Sequence, residues 1–133
     1  MANYTAYFRS NYFAVKDAAL FQTFCAEFNC TMMTKVEGAQ TLYGFYGNDG
    51  GIPVTRYNKE KQDWEEADLL STLATHLTDN YVAIVMEVGF EKMRYLLGEA
   101  HAINAAGEML SVELDEIYER SATLGRKGTS CSY

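Results

Sequence analysis

Two residues of this chain have the types and spacing of a small polar pair that could do chemistry. In an extended strand Glu99, His101 and Ile103 point to the same face, so a carboxylate and an imidazole stand side by side. Such a pair could relay a proton, and with Tyr95 from the same segment it could furnish the polar groups of a small-ligand or enzymatic pocket between sheet and helices. A zinc site would need three or four ligands, and no third Cys, His or acid stands at a recognised spacing. No metal and no cofactor is therefore expected. His76, beside Leu73 and Leu77, reads as a structural or solvent-facing histidine. The glycines of Gly44-Phe-Tyr-Gly47-Asn-Asp-Gly50-Gly51 match neither the dinucleotide fingerprint nor the phosphate-binding loop, and hairpin turns account for them. Neither Gly-x-Ser-x-Gly nor His-Glu-x-x-His occurs, so no catalytic residue is assigned.

The remaining signal is surface charge. Glu60, Asp63, Glu65, Glu66 and Asp68 surround the single tryptophan, Trp64, and Asp115, Glu116 and Glu119 fall together on the last expected helix, opposite Leu114, Ile117 and Tyr118. Charged faces of this kind ordinarily do no more than meet solvent. Carboxylates at intervals comparable to successive phosphates would also attract the basic groove of a nucleic-acid-binding protein. Tyr43, Phe45, Tyr46, Tyr57 and Trp64 add the amphipathic rings that commonly anchor protein interfaces. A base-stacking platform fits less well, because Arg56, Lys59 and Lys61 are outnumbered locally by acids.

The whole chain carries the same sign. Its 133 residues hold 18 Asp and Glu against 11 Lys and Arg, a formal charge of -7. That balance argues against direct binding of a nucleic-acid backbone. A composition of 48% hydrophobic and 22% charged residues suits one globular domain with a real core. The longest apolar run, Tyr81 to Met86, falls far short of the roughly 20 residues of a membrane span. Three cysteines, Cys25, Cys30 and Cys131, form no disulfide framework, and the opening residues lack the pattern of a secretory signal, so a reducing cytoplasm is the expected home. Cys25 is expected in the core.

Several elements must position these groups. Residues 4 to 15 read as an opening strand, and Asp17 as the cap of a helix that buries Leu20, Phe21, Phe24 and Phe28 and stops near Asn29. Met32 to Val36 and Thr41 to Tyr46 form a hairpin. Ile52 to Tyr57 is a short strand, Asn58 to Glu66 an exposed charged connection, and Leu69, Leu70, Leu73 and Leu77 mark a second helix. Tyr81 to Val88 is the most apolar segment and the best candidate for a central core strand; with Arg94 to Asn104 and Glu108 to Val112 it makes an antiparallel meander turned at Glu91-Lys92 and at Ala105-Ala106-Gly107. A last helix runs from about 114 to 124, with Gly125 as a left-handed cap. The expectation is a single α+β domain over residues 1 to 125, a mainly antiparallel sheet with about three helices on one face, followed by a flexible tail, 126 to 133.

Three stretches carry a resemblance. Ser10-Asn11-Tyr12-Phe13-Ala14-Val15-Lys16-Asp17 with Phe21 and Phe24, then Glu87-Val88-Gly89-Phe90-Glu91-Lys92-Met93-Arg94-Tyr95, then Leu114-Asp115-Glu116-Ile117-Tyr118, resemble small acidic uncharacterised proteins of bacterial plasmids, phages and integrative elements. The likeness spans most of the first 125 residues and brings no functional residues with it. Proteins of that kind include anti-CRISPR and antirestriction inhibitors. The resemblance therefore implies a non-enzymatic inhibitor that mimics DNA and blocks a basic, nucleic-acid-handling protein partner, without contacting nucleic acid or membrane itself. Aromatic content leaves a homo-oligomer open.

Overall fold

The computed structural model describes residues 4–47, 50–91, 95–125 and 131. The chain is a single α+β domain, a six-stranded antiparallel sheet with a small two-stranded sheet and three helices. The strands are β1 (Tyr4–Ser10), β2 (Thr31–Glu37), β3 (Gln40–Gly47), β4 (Thr55–Asn58), β5 (Asp63–Glu66), β6 (Val82–Glu91), β7 (Tyr95–Asn104) and β8 (Met109–Glu113). The helices are α1 (Ala18–Glu27), α2 (Leu69–Ala74) and α3 (Glu116–Arg120), the last followed by a 3-10 turn at Ser121–Thr123. The large sheet has the order β2-β3-β1-β6-β7-β8, and β4 pairs with β5 apart from it.

The opening strand is shorter than the aromatic pattern suggests. After Ser10 the chain crosses the sheet end, and Phe13 and Val15 make only single bridges, to Tyr43 and Leu77. Asn11 takes over where β1 stops: its Oδ1 accepts from the Ile84 amide at 2.8 Å and its Nδ2 donates to the Val82 carbonyl at 3.0 Å. A side chain thus continues the ladder to β6 with no exposed gap in backbone pairing. Asp17 then caps α1, accepting from the Ala19 and Leu20 amides. Asn29 ends the helix at φ 57°, a left-handed angle that asparagine tolerates.

Phe21, Phe24 and Cys25 are buried from α1, Phe28 just past its end, and Leu69, Leu70 and Leu73 from α2. They close on Phe8, Phe13, Phe45, Leu77, Ala83, Val85 and Ile103 in one core. Burial pushes the Cys25 thiol up to about 12, so it is a small hydrophobe and no nucleophile at neutral pH. Leu20, expected inside, is exposed, because the covered stripe is narrower than its flank position.

Four further readings are corrected. Tyr81 to Val88 is central but not buried on both faces: Ala83 and Val85 are buried while Val82, Ile84, Met86 and Val88 are exposed. Gly44 and Gly47 lie within β3 and not in turns. Asp63–Glu66 is a strand and not a loop, paired with β4. Helix α3 is five residues long and buries none of them, so the expected inward stripe of Leu114, Ile117, Tyr118 and Leu124 does not form, and Gly125 has no left-handed φ. Part of the expected turn after Glu91 falls on residues 92–94, and the expected tail apart from Cys131 on 126–130 and 132–133; both lie outside the described residues.

Candidate functional site

Strand register builds the polar side of the sheet. Glu87 of β6 stands opposite Glu99 of β7, and Glu99 opposite Glu113 of β8, so three carboxylates form a row across adjacent strands. One step along the strands the same face carries Val85, His101 and Ser111. His101 is held from both sides: Nδ1 lies 2.7 Å from the Ser111 hydroxyl and Nε2 lies 3.5 Å from Glu99 Oε1.

The loop from β3 to β4 and the start of α2 wall this row into a cleft. Gly51, Ile52, Pro53, Val54, Glu66, Ala67, Asp68, Leu69 and Leu70 face Glu87, Glu99 and His101 across a volume of about 780 Å3. Glu87 anchors the loop by accepting the Ile52 amide, and the Tyr4 hydroxyl donates to its Oε2 at 2.8 Å. Partial burial first, then this bond and the nearby charges of Glu87 and Glu99, push the Tyr4 phenol up to about 12, so it stays a donor at any physiological pH. A smaller hollow of about 160 Å3 continues past the row, lined by Tyr4, Glu87, Leu97, Gly98, Glu99, Glu113 and Asp115. The two hollows share Glu87 and Glu99, so carboxylates run without interruption from Glu66 and Asp68 to Asp115.

The expected site residues meet different fates. Glu99 and His101 converge on the cleft, whereas Tyr95, two positions before Leu97 on the same strand, is not among its lining residues. The acids of 60 to 68 do not form one surface, because β5 alternates and sends successive side chains to opposite faces. Glu60 and Asp63 are exposed at the ribbon's turn. Glu65 pairs with Arg56 at 3.2 Å and Lys61 at 3.9 Å, and hydrogen bonds from Asn58 and Arg56 hold its carboxyl below the usual glutamate range. Glu66 and Asp68 turn to the cleft, where Asp68 also caps α2 by accepting from the Leu70 amide. Trp64 is half exposed and packs edge-on against Tyr57. On the far side Asp115 joins the smaller hollow, Glu116 folds back onto the Glu113 amide, and Glu119 is exposed.

Glu87, Glu113 and Tyr4 are absent from the sequence-derived set. A usable signal lies in the hairpins, since the register that pairs Glu87 with Glu99 and Glu99 with Glu113 lines up all three glutamates. Placing the first turn at Glu91-Lys92 displaces that register and hides the row.

His76 takes no part in the cleft. It lies against the Phe21 and Phe24 rings, 6.3 and 5.1 Å between centroids. Burial lowers its pKa below the ordinary 6.5, a shift opposed by Glu27 and Asp17 and assisted by Lys16. The unfolded chain therefore binds the proton first as pH falls. Stability is expected to be full above about 6.5 and to decline as pH drops through that value towards the lower folded one. Melting temperatures between pH 7.5 and 5 check this: His76→Gln should flatten that part of the slope, and an unchanged slope would exclude His76 as its source.

Among the described residues no group of three or more His, Cys, Asp or Glu is arranged to hold a metal ion, and no helix is long and apolar enough to cross a membrane. Comparison with protein-family models, curated proteins and solved structures finds no match for the chain.

Proposed function

We propose that the protein is a non-enzymatic binding protein whose carboxylate strip occupies a basic site on a nucleic-acid-handling defence complex, as an anti-CRISPR or antirestriction inhibitor would. The row Glu87, Glu99 and Glu113 carries this reading. Like charges in neighbouring register oppose folding, by roughly 0.2–1 kcal/mol for each cross-strand pair. Among the described residues no Lys or Arg forms an ion pair with any of the three; the ion pairs found there are Arg56 and Lys61 with Glu65, and His101 with Glu99. An arrangement that works against the fold and, among the described residues, has no Lys or Arg paired with it suits a surface whose cations arrive on a partner. Glu66, Asp68 and Asp115 lengthen the strip, and Glu60, Asp63, Trp64 and Glu119 remain exposed around it.

The test is charge reversal on residues that brace nothing in the main core. Immobilised protein is used to capture proteins from a bacterial host, and captured nucleic-acid-binding proteins are then titrated with wild type and with the triple variant Glu66→Lys, Glu113→Lys, Asp115→Lys. Glu87 is spared because it holds the Ile52 loop. Affinity should fall at least tenfold in the variant, and wild-type affinity should fall as salt rises. Equal affinity of wild type and variant would overturn the proposal.

A second reading treats the same cleft as a small-ligand or enzymatic pocket, and the clamp of His101 between Glu99 and Ser111 favours it. On that reading a small molecule raises the melting temperature of the wild type but not of His101→Gln. A shift equal in both would remove His101 from it.

A further inference from the structure

Away from the end that Leu114 and α3 overlie, the opposite face of β1, β6, β7 and β8 carries no acid and, among the described residues, no covering element. The registers Val88 to Gly98, Met86 to Ala100 and Ile84 to Ala102, then Ala100 to Val112 and Ala102 to Leu110, place all these side chains on one face, with Tyr7 beside Val88. Met86 is 55% exposed and Leu110 78%, and Tyr7, Ile84, Val88, Phe90, Leu96 and Val112 are exposed with them. The acids of β6, β7 and β8 are Glu87, Glu91, Glu99 and Glu113, and strand alternation sends every one of them to the other face.

Relief on this face is regular. Ala100 and Ala102 make a shallow furrow along β7, between a ridge on β6 (Ile84, Met86, Val88) and a second ridge on β8 (Leu110, Val112), and the Leu114 side chain fills the furrow at its Gly98 end. Hollows of about 450 Å3 and 390 Å3 lie along it; Val88, Ala100 and Val112 share the first with Ile117, Glu116 and Arg120 of α3, which mark its charged rim, and Val82, Ala102 and Leu110 are among those lining the second.

We infer that this face is a homodimer interface, in which the β6 ridge of each copy lies in the β7 furrow of the other about a two-fold axis. Large side chains opposite small ones are what two packed sheets require at their usual separation of about 10 Å. A ridge and a furrow side by side on the same surface let it pack on a copy of itself. The exposed surface of these residues amounts to an area on the order of 800 Å2, comparable to the roughly 800 Å2 per partner of a standard stable interface and beyond the few hundred Å2 that monomers leave in one patch. Charge selects the occupant as well. Each copy has a formal charge of -7, yet pairing through this face buries no carboxylate from β1, β6, β7 or β8. Residual repulsion between the two copies acts at a distance, where salt screens it. Dimerisation should therefore strengthen with added salt, the reverse of binding through the acidic strip.

Sedimentation equilibrium of the full chain across the micromolar range tests this. The expected result is a dimer whose dissociation constant falls as salt rises, and Ala100→Arg, which fills the furrow, should raise that constant at least tenfold while leaving the circular dichroism spectrum intact. Leu20→Lys, an exposed site on α1, should leave it unchanged. Peroxide oxidation of the wild type reads the same interface without a substitution. Met86 should be protected progressively as protein concentration rises, whereas Met109, on the other face of β8, should not. A wild-type monomer throughout the range, open-ended assembly, a folded Ala100→Arg dimer of undiminished affinity, or concentration-independent oxidation of Met86 would each overturn the inference.

Discussion

Phe21→Ala is expected to destabilise the protein by about 3–5 kcal/mol, the range for removing a fully buried aromatic ring from a core that cannot collapse into the space. Phe21 has no exposed surface and is the ring most others touch. Its centroid lies 5.7 Å from Phe13, 5.6 Å from Phe24, 5.9 Å from Tyr43 and 6.5 Å from Phe45. These neighbours belong to α1, to the crossing segment after β1 and to β3, so no single rearrangement fills the void. A loss of this size is a large part of the roughly 5–15 kcal/mol that holds a domain folded. Urea unfolding should show a lower midpoint at unchanged slope, while Leu20→Ala, one residue away and exposed, should stay within about 0.5 kcal/mol of wild type. Similar midpoints for both variants would mean that α1 does not pack as described.

The second large effect comes from adding atoms. Gly44 sits in β3 where the chain leaving β1 crosses it, and a Cβ there would lie 2.6 Å from the Asn11 carbonyl oxygen and 3.0 Å from both Ser10 Oγ and the Met33 methyl. The first contact is with backbone, which cannot swing aside. Ser10 Oγ also accepts the Phe45 amide at 2.9 Å, so displacing it strands a buried donor. Gly44→Val should cost at least the upper end of the roughly 1–3 kcal/mol typical of overpacking. Gly38→Asn is the contrast: that turn glycine has φ +65° and nothing within 4 Å of the added Cβ, and asparagine tolerates such an angle. Chemical denaturation of the two variants separates close approach from backbone angle. Equal, small losses would show that the crossing at Gly44 can give way.

Local patterns were legible because their causes are local. Asp17 and Asn29 bracket α1 through a cap and a left-handed stop, Gly38 turns the β2–β3 hairpin, and the meander β6–β7–β8 follows from alternation with short turns. The same alternation hid the site. Both faces of β6 are largely apolar, Ala83 and Val85 on one and Val82, Ile84, Met86 and Val88 on the other, so periodicity shows that the strand is two-sided and not which side the helices cover. Glu87 then passes as an interruption in an apolar run, and only its register with Glu99 and Glu113 makes it part of a row. Acids adjacent in sequence were over-read for the same reason: Glu65 and Glu66 are neighbours in the chain and point to opposite sides of the β4–β5 ribbon.

The place of β1 between β3 and β6 has a kinetic consequence. The β2–β3 hairpin and the β6–β8 meander can each zip up from neighbouring residues, but the strand that joins them comes from the chain's first ten residues, and Tyr7 must find Val88. Closing so long a loop before its contacts are rewarded is slow. During synthesis β1 can settle against β3, with Phe8 and Phe13 against Phe45, but its other edge must wait until the ribosome has delivered β6. The half-assembled chain, with that edge of β1 still open, is the stage at which chaperones or a neighbouring nascent chain would compete for it.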